Sequence, residues 1–292
     1  MNNLIAEYSA YLNENSTKNT AMSYIRDLIK FFSEMEIRSE SDFLKLTEDD
    51  IGEYIAILKN RGMAYSSLAR TVSSLRKFFI YCETSGILDK DLTKNAEIPK
   101  YQRKLPDTLS FEEVVKILEA PTLSNVKGIR DRAMLEIMYA TGAKVSEIIN
   151  LKVNDISLKN EMIVISSENK HRFVPMGKSA VDALVLYLKE SRKKIPGSDK
   201  SDILFLNFYG EPLTRQGFWK MIKKYIEIAG VKGNVTAQTI RHSFALHLLS
   251  NGADVHSVSE MMGYSDDASV KIYFDVMNNK MKNVYRKAHP RA

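Results

Sequence analysis

Two stretches in the first third of the chain repeat apolar residues at helical spacing. The first stripe holds Tyr24, Leu28, Phe31 and Phe32, and the second holds Leu68, Val72, Leu75, Phe78 and Phe79. Side chains three and four residues apart share one face of a helix. The two stripes therefore predict a small helical bundle whose core lies between these faces.

Helical periodicity dominates the second half of the chain with one exception. The apolar stripe in the helix predicted from Arg130 to Ala140 ends at Gly142, and another helix is expected to begin near Val145. Residues 162–165 and 173–175 are rich in strand-forming side chains, and they flank the polar stretch 166–170. That alternation is typical of a β-hairpin.

The helical pattern stops between residues 95 and 107, where Pro99 and Pro106 interrupt the backbone. We interpret this stretch as a linker. A chain of 292 residues is long enough for two domains that each bury a core. The sequence thus predicts a mainly α protein with a small β-hairpin, in which residues 1–94 and 108–292 form the two domains.

The charge balance favours a polyanionic partner. Lys and Arg number 42 against 36 Asp and Glu, giving a net charge of +6. No apolar run approaches the roughly 20 residues of a membrane span, and the start lacks a secretion signal, so we expect a cytoplasmic protein. The single cysteine, Cys82, has no partner for a disulfide. The sequence predicts no metal site and no cofactor.

Two cations lie near predicted helix starts, Lys144 in one helix and Arg241 in the first turn of another. A cation there opposes the helix dipole unless an anion is close by. Either the two side chains share a phosphate, or they are unrelated surface charges.

Several ordered motifs resemble those of the tyrosine recombinases, and most closely the Xer type. The motifs are Ala140-Thr141-Gly142 with Val145-Ser146-Glu147, then Thr236 to Ala245, Met261 to Ser265, and Ile272-Tyr273. The resemblance implies a two-domain clamp on duplex DNA, with an N-terminal helical core-binding domain and a C-terminal catalytic-type domain. It also implies association with a second copy or a related recombinase on DNA through the C-terminal segment, around Val284-Tyr285 and His289-Pro290. A tail packed on its own domain is the alternative.

In this family a tyrosine attacks the scissile phosphate, two arginines hold its oxygens, a hairpin lysine protonates the leaving 5′ oxygen, and histidines assist. Tyr273 matches the nucleophile and Arg241 the second arginine. The other matched positions differ from the family pattern: Lys144 for the first arginine, Ser167 for the lysine, Gln238 for a histidine, and Tyr264 for a histidine or tryptophan.

The four departures predict strand cleavage that is weakened or lost, because losing a general acid or base alone costs about 10²- to 10⁴-fold. A DNA-binding relative with an accessory or regulatory role fits this pattern. Two alternatives remain open, an active recombinase that uses Tyr273 and a structural protein-interaction scaffold. The side chains that could compensate in an active enzyme are His242, His247, His256, Lys170 and His171.

Basic and polar positions along both domains are candidate DNA contacts. They are Arg70, Arg76, Lys77, Lys100, Arg103, Lys104, Lys170, Arg172, Arg215 and His242. For Arg70, Arg76 and Lys77 a purely solvent-exposed role is the alternative. Sequence alone does not separate base contacts from phosphate contacts, so it leaves the target site undefined.

Overall fold

The computed structural model describes residues 2–96, 105–167 and 170–288, with side chains as far as residue 278. The chain divides into two compact units, residues 1–103 and 104–292.

The first unit is helical throughout its described part. Its helices are α1 Asn2–Asn15, α2 Lys18–Glu34, α3 Glu40–Phe43, α4 Glu48–Asn60 and α5 Tyr65–Thr84. Thr17 starts α2 by accepting a hydrogen bond from the Thr20 amide. Ser39 and Asp42 form a capping box at α3, which satisfies amides that would otherwise lack a partner.

Aromatic rings fill the core of the first unit. Phe31 packs edge-on against Tyr54 and Phe79, and Phe78 contacts Phe32 and Phe43, with ring centroids 5.0 to 6.1 Å apart. Both predicted apolar stripes therefore face this core, and only Tyr24 among their members remains partly exposed. The predicted helical bundle is confirmed.

The second unit consists of helices around a small sheet. Its helices are α6 Phe111–Glu119, α7 Val126–Thr141, α8 Val145–Ile149, α9 Lys178–Leu186, α10 Arg215–Ile228, α11 Ala237–Ser250, α12 Val255–Met262 and α13 Ala268–Ala288. The antiparallel strands are β1 Ile156–Ser157, β2 Met162–Ser167 and β3 Lys170–Pro175, in the order β1-β2-β3. The predicted hairpin is confirmed as β2 and β3, and the mainly α fold class with it.

Two apolar clusters hold this unit together. The larger surrounds α7, whose Met134 and Ile137 are fully buried, and takes in Ile163 and Ile165 from the inner face of β2. The smaller joins α11, α12 and α13. It consists of Phe244, Ala245, Leu246, Leu249, Val258, Met262, Val270, Tyr273 and Val276.

One expected position is wrong. Thr236 caps α11 by accepting a hydrogen bond from the Thr239 amide, so the helix begins at Ala237. Arg241 is therefore the fifth residue of the helix and not part of its first turn.

Candidate functional site

A buried cation, Arg241, connects three helices of the second unit. Its guanidinium donates hydrogen bonds from Nη1 to the Gly142 carbonyl and from Nη2 to the Met262 carbonyl, the latter over 2.6 Å. The guanidinium carbon lies 5.3 Å from the ring centroid of Tyr264. Arg241 on α11 thereby joins the ends of α7 and α12.

Both carbonyls lie where a helix ends in a left-handed glycine. Gly142 ends α7 with φ 59°, and Gly263 ends α12 with φ 68°. A Cβ on Gly142 would lie 2.4 Å from the Phe244 ring, so only glycine fits there. Carbonyls at a helix C-terminus carry partial negative charge, which a cation stabilises. Arg241 thus contacts the C-terminal ends of two helices, where a cation is favourable. It needs no bound phosphate to offset its charge, as a cation at a helix N-terminus would.

Tyr273 on α13 is fully buried beside Arg241's helix. Its hydroxyl lies 2.6 Å from Nδ1 of His242. Burial raises the pKa of Tyr273, and the neighbouring Tyr264 raises it further, while Arg241 acts in the opposite direction. The phenol therefore keeps its proton at neutral pH.

His242 is the partner of that hydroxyl. Burial and the adjacent Arg241 guanidinium lower the pKa of His242, against a smaller opposing effect of Asp107. The imidazole is consequently neutral near pH 7. In the tautomer with its proton on Nε2, Nδ1 accepts the hydrogen bond from the Tyr273 hydroxyl.

An ion pair between Arg172 and Glu147 lies beside Arg241's contacts. Arg172 on β3 donates two hydrogen bonds to Glu147, at 3.0 and 2.7 Å, and Nε donates to the Met261 carbonyl at 2.6 Å. Glu147 also accepts the backbone amide of Lys144 at 2.8 Å. Burial opposes ionisation of Glu147, but the Arg172 hydrogen bonds and charge outweigh it and hold the pKa below its usual range.

The remaining predicted site residues lie on elements that these contacts connect. Lys144 precedes α8 with an exposed side chain, two residues after Gly142. Gln238 is exposed on α11, one turn before Arg241. Ser167 is half-buried at the end of β2, opposite Lys170. Arg241 contacts Tyr264, and both act on Tyr273. Among the described side chains, the structure shows no direct contact of Lys144, Gln238 or Ser167 with these three.

Sequence reasoning missed the positioning role of Glu147 and Arg172. Glu147 follows Lys144 by three residues. This spacing is typical of a capping box, so the sequence could have predicted the contact of Glu147 with the Lys144 amide. Arg172 lies 25 residues further along the chain, and its pairing with Glu147 has no local pattern.

The candidate DNA-contact side chains of the first unit form hydrogen bonds or ion pairs with other residues of that unit. Arg70 pairs with Asp27 at 2.9 Å and stays half-exposed. Arg76 donates to the Ala96 carbonyl at 2.7 Å, and Lys77 to the Ser16 hydroxyl at 2.7 Å.

In the second unit Lys170 and Arg215 are exposed, whereas Arg172 has its guanidinium occupied by Glu147 and Met261. Three further candidates, Lys100, Arg103 and Lys104, lie outside the described residues, as does His289-Pro290. The side chains of Val284 and Tyr285 lie outside the described part as well.

Within the described ranges, His, Cys, Asp and Glu side chains form no group of three that could hold a metal ion. Likewise, none of the described helices combines the length and apolar character that crossing a membrane requires.

Two family descriptions match the chain. The Phage integrase family matches residues 107–280, and the Phage integrase, N-terminal SAM-like domain matches residues 5–86. Together they span most of both units.

Similar proteins match over the full length. A protein named Tyrosine recombinase XerD from Listeria monocytogenes serovar 1/2a is 39% identical over 297 residues, with 100% of both chains covered. The protein of the same name from Staphylococcus saprophyticus subsp. saprophyticus is 38% identical over 295 residues, again with full coverage of both.

Solved structures share the fold at lower identity. The XerH site-specific recombinase bound to a palindromic difH substrate, in a post-cleavage complex, matches with a TM-score of 0.74 and 24% identity, covering 96% of this chain and 85% of that one. A lambda integrase dimer bound to a COC′ core site matches with a TM-score of 0.70 and 16% identity, covering 94% and 76%.

The buried pair between Arg172 and Glu147 is expected to stabilise the second unit. Arg172→Met leaves a carboxylate buried without its partner, so the free energy of unfolding should fall by about 3–5 kcal/mol. Calorimetric unfolding at pH 7 measures the loss. Because pairing lowers the Glu147 pKa, this stabilisation is present above the unfolded value of about 4.3 and disappears as pH falls through the lower folded value.

Arg61→Met is the matched control, since Arg61 also makes two hydrogen bonds to a carboxylate, Glu34, but at the surface. Its loss should cost about 0–1 kcal/mol. Equal effects of the two substitutions would contradict a structural role for the Arg172 pair.

Proposed function

The chain belongs to the phage integrase family of tyrosine recombinases, and we propose that it binds duplex DNA as a recombinase-type protein whose strand cleavage is weakened or lost. Its role would then be an accessory or regulatory one in site-specific recombination and integration, carried out in the cytoplasm.

The proposal rests on one observation: of the six matched positions, the two that keep the family's residue are buried, and the four that differ are more exposed. Arg241 and Tyr273, which keep the family's residue, are 1% and 0% exposed. Lys144 and Gln238 are exposed, and Ser167 and Tyr264 are half-buried; all four depart from the family pattern. Packing alone accounts for the two retained residues, because both belong to the core of the second unit.

The departures remove chemistry that the substituting side chains do not supply. Lys144 keeps a positive charge but lacks the planar fork that grips two phosphate oxygens. Ser167 cannot act as a cationic acid, and Gln238 cannot carry a proton near neutral pH. Each such loss costs about 10²- to 10⁴-fold in rate, although losses at one site do not add. We infer a decrease of several orders of magnitude.

DNA binding is supported independently of cleavage. Phosphate contacts depend on positive charge and counterion release, which the net charge of +6 and the exposed Lys170 and Arg215 provide. The DNA-bound XerH and lambda integrase structures, which share this fold, support the same conclusion.

The domain roles follow from the same family. We propose residues 1–94 as the core-binding domain, residues 95–107 as a linker, and residues 108–292 as the catalytic-type domain.

Self-association on DNA would place the C-terminal segment of one copy on a neighbour. A groove of about 760 Å³ in the second unit, with Phe111, Tyr139 and Leu248 in its wall, supports this.

An active recombinase that cleaves through Tyr273 is the second candidate. The name Tyrosine recombinase XerD, shared by relatives 38% and 39% identical, favours it. So does the short contact between Tyr273 and His242. A scaffold that binds only protein is a third possibility, distinguished by the absence of duplex binding.

Duplex binding should be tight and salt-dependent. We expect the logarithm of the association constant to fall linearly with the logarithm of salt concentration, and Lys170→Gln to reduce that slope by about 1. Fluorescence anisotropy on a duplex selected from a randomised pool measures both. Lys200→Gln, at another exposed lysine, should leave the slope nearly unchanged. No binding at low salt would point to the scaffold.

Cleavage should return when the family's residues are restored. The restored variant carries Lys144→Arg, Ser167→Lys, Gln238→His and Tyr264→His. On a nicked suicide form of the selected duplex, we expect its rate of covalent adduct formation to exceed that of the parent by at least about 10²-fold. A parent that already reacts as fast as the restored variant would favour the active recombinase.

A further inference from the structure

His242 lies beside Arg241 in the chain and contacts the candidate nucleophile, Tyr273. It follows Arg241 directly in α11, and its Nδ1 lies 2.6 Å from the Tyr273 hydroxyl on α13. Arg241 is the position that the family uses to hold a phosphate. The side chain that receives the phosphate and the side chain that contacts the nucleophile are therefore consecutive residues of one helix.

We propose that His242 accepts the proton of Tyr273 as the tyrosine oxygen attacks the scissile phosphate. The inference rests on the proposed function, since it requires that this site takes a DNA phosphate. It assigns to His242 a role that neither Ser167 nor Gln238 can perform in this chain.

The step balances as follows. The Tyr273 oxygen forms a bond to phosphorus while its hydroxyl proton moves to Nδ1 of His242. The bond from phosphorus to the 5′ oxygen breaks, and its electron pair leaves with that oxygen. The 5′ oxygen takes a proton from water, and the His242 proton returns to solvent. Phosphate charge is conserved in the phosphotyrosyl product.

The surroundings of His242 favour the base form of its imidazole. Burial and Arg241 keep the ring neutral near pH 7, with Asp107 as the nearby group that acts in the other direction. Burial also keeps Tyr273 protonated, so a free phenolate would be disfavoured. Proton transfer is therefore expected together with formation of the bond to phosphorus, when the guanidinium of Arg241 offsets the charge that develops.

The other histidines that the structure describes in the second unit contact different groups. His247 lies against the Tyr139 hydroxyl and the Leu109 carbonyl. His171 contacts the Ser166 hydroxyl, and His256 is exposed beside Glu260. Of the candidates for compensation, His242 is the one placed on Tyr273.

Tyr273 is buried in this arrangement, so α13 must shift for a DNA phosphate to reach its oxygen. The charge of Arg241 is close enough to the imidazole of His242 to lower its pKa, so a phosphate held by Arg241 would lie near that ring.

The test compares His242→Gln with the parent in two backgrounds, the natural chain and a partly restored variant that carries Lys144→Arg, Ser167→Lys and Tyr264→His. The partly restored variant keeps Gln238, so that no histidine at that position can take the proton. Glutamine can accept the hydrogen bond but cannot take the proton. We expect the single-turnover rate of adduct formation to fall by about 10²-fold or more, with unchanged duplex affinity. The rise in rate with pH that reports a deprotonated base should disappear. His256→Gln serves as the control and should leave both measurements unchanged.

Equal adduct rates for the parent and His242→Gln in the partly restored background would overturn the proposal. An absence of adduct from both the natural and the partly restored chain would overturn it too, while intact salt-dependent binding would leave the proposed DNA-binding function standing. Loss of duplex binding would instead refute the proposed function itself.

Nitrogen-15 NMR of the imidazoles gives a second measurement that does not depend on turnover. A hydrogen bond accepted at Nδ1 requires the proton on Nε2, and Tyr273→Phe should change the His242 signals. If Tyr273→Phe leaves those signals unchanged, the contact does not exist in solution and the proposal is wrong.

Discussion

The second unit depends on a single buried guanidinium that satisfies the ends of two helices. Arg241 donates to the last carbonyls of α7 and α12, at Gly142 and Met262, and both helices end there in a left-handed glycine. Around this centre, Arg172 adds a second donor to α12 through Met261. The hairpin and three helices therefore meet at helix-end carbonyls that two guanidinium groups satisfy.

Because of this arrangement, the match of Arg241 to the family's residue is explained by structure as well as by catalysis. In an active recombinase Arg241 would hold phosphate oxygens. Here it also holds helices together, so its presence alone does not require catalysis. Tyr273 is similar, since it fills the core between α11 and α13. The exposed Lys144 and Gln238 carry no such constraint; they are two of the four positions at which we propose that the chain departs from the family pattern.

Much of the fold was predictable because it follows from local periodicity. The apolar stripes of α2, α5 and α7 and the hairpin were all readable from residue spacing. For the site, the sequence predicted which positions match those of the family, but not the contacts between them. The pairing of Arg172 with Glu147 and the contact of His242 with Tyr273 join residues 25 and 31 positions apart. Tertiary packing creates such contacts, and no local pattern encodes them.

The free energy of unfolding of Arg241→Met, measured without DNA, addresses the structural role of this residue directly. Two lost hydrogen bonds from a charged donor should cost on the order of 3 kcal/mol or more, whereas Gln238→Met on the exposed face of the same helix should change stability by no more than about 0.5 kcal/mol. Unchanged stability of Arg241→Met, with only duplex binding reduced, would show that Arg241 serves phosphate alone.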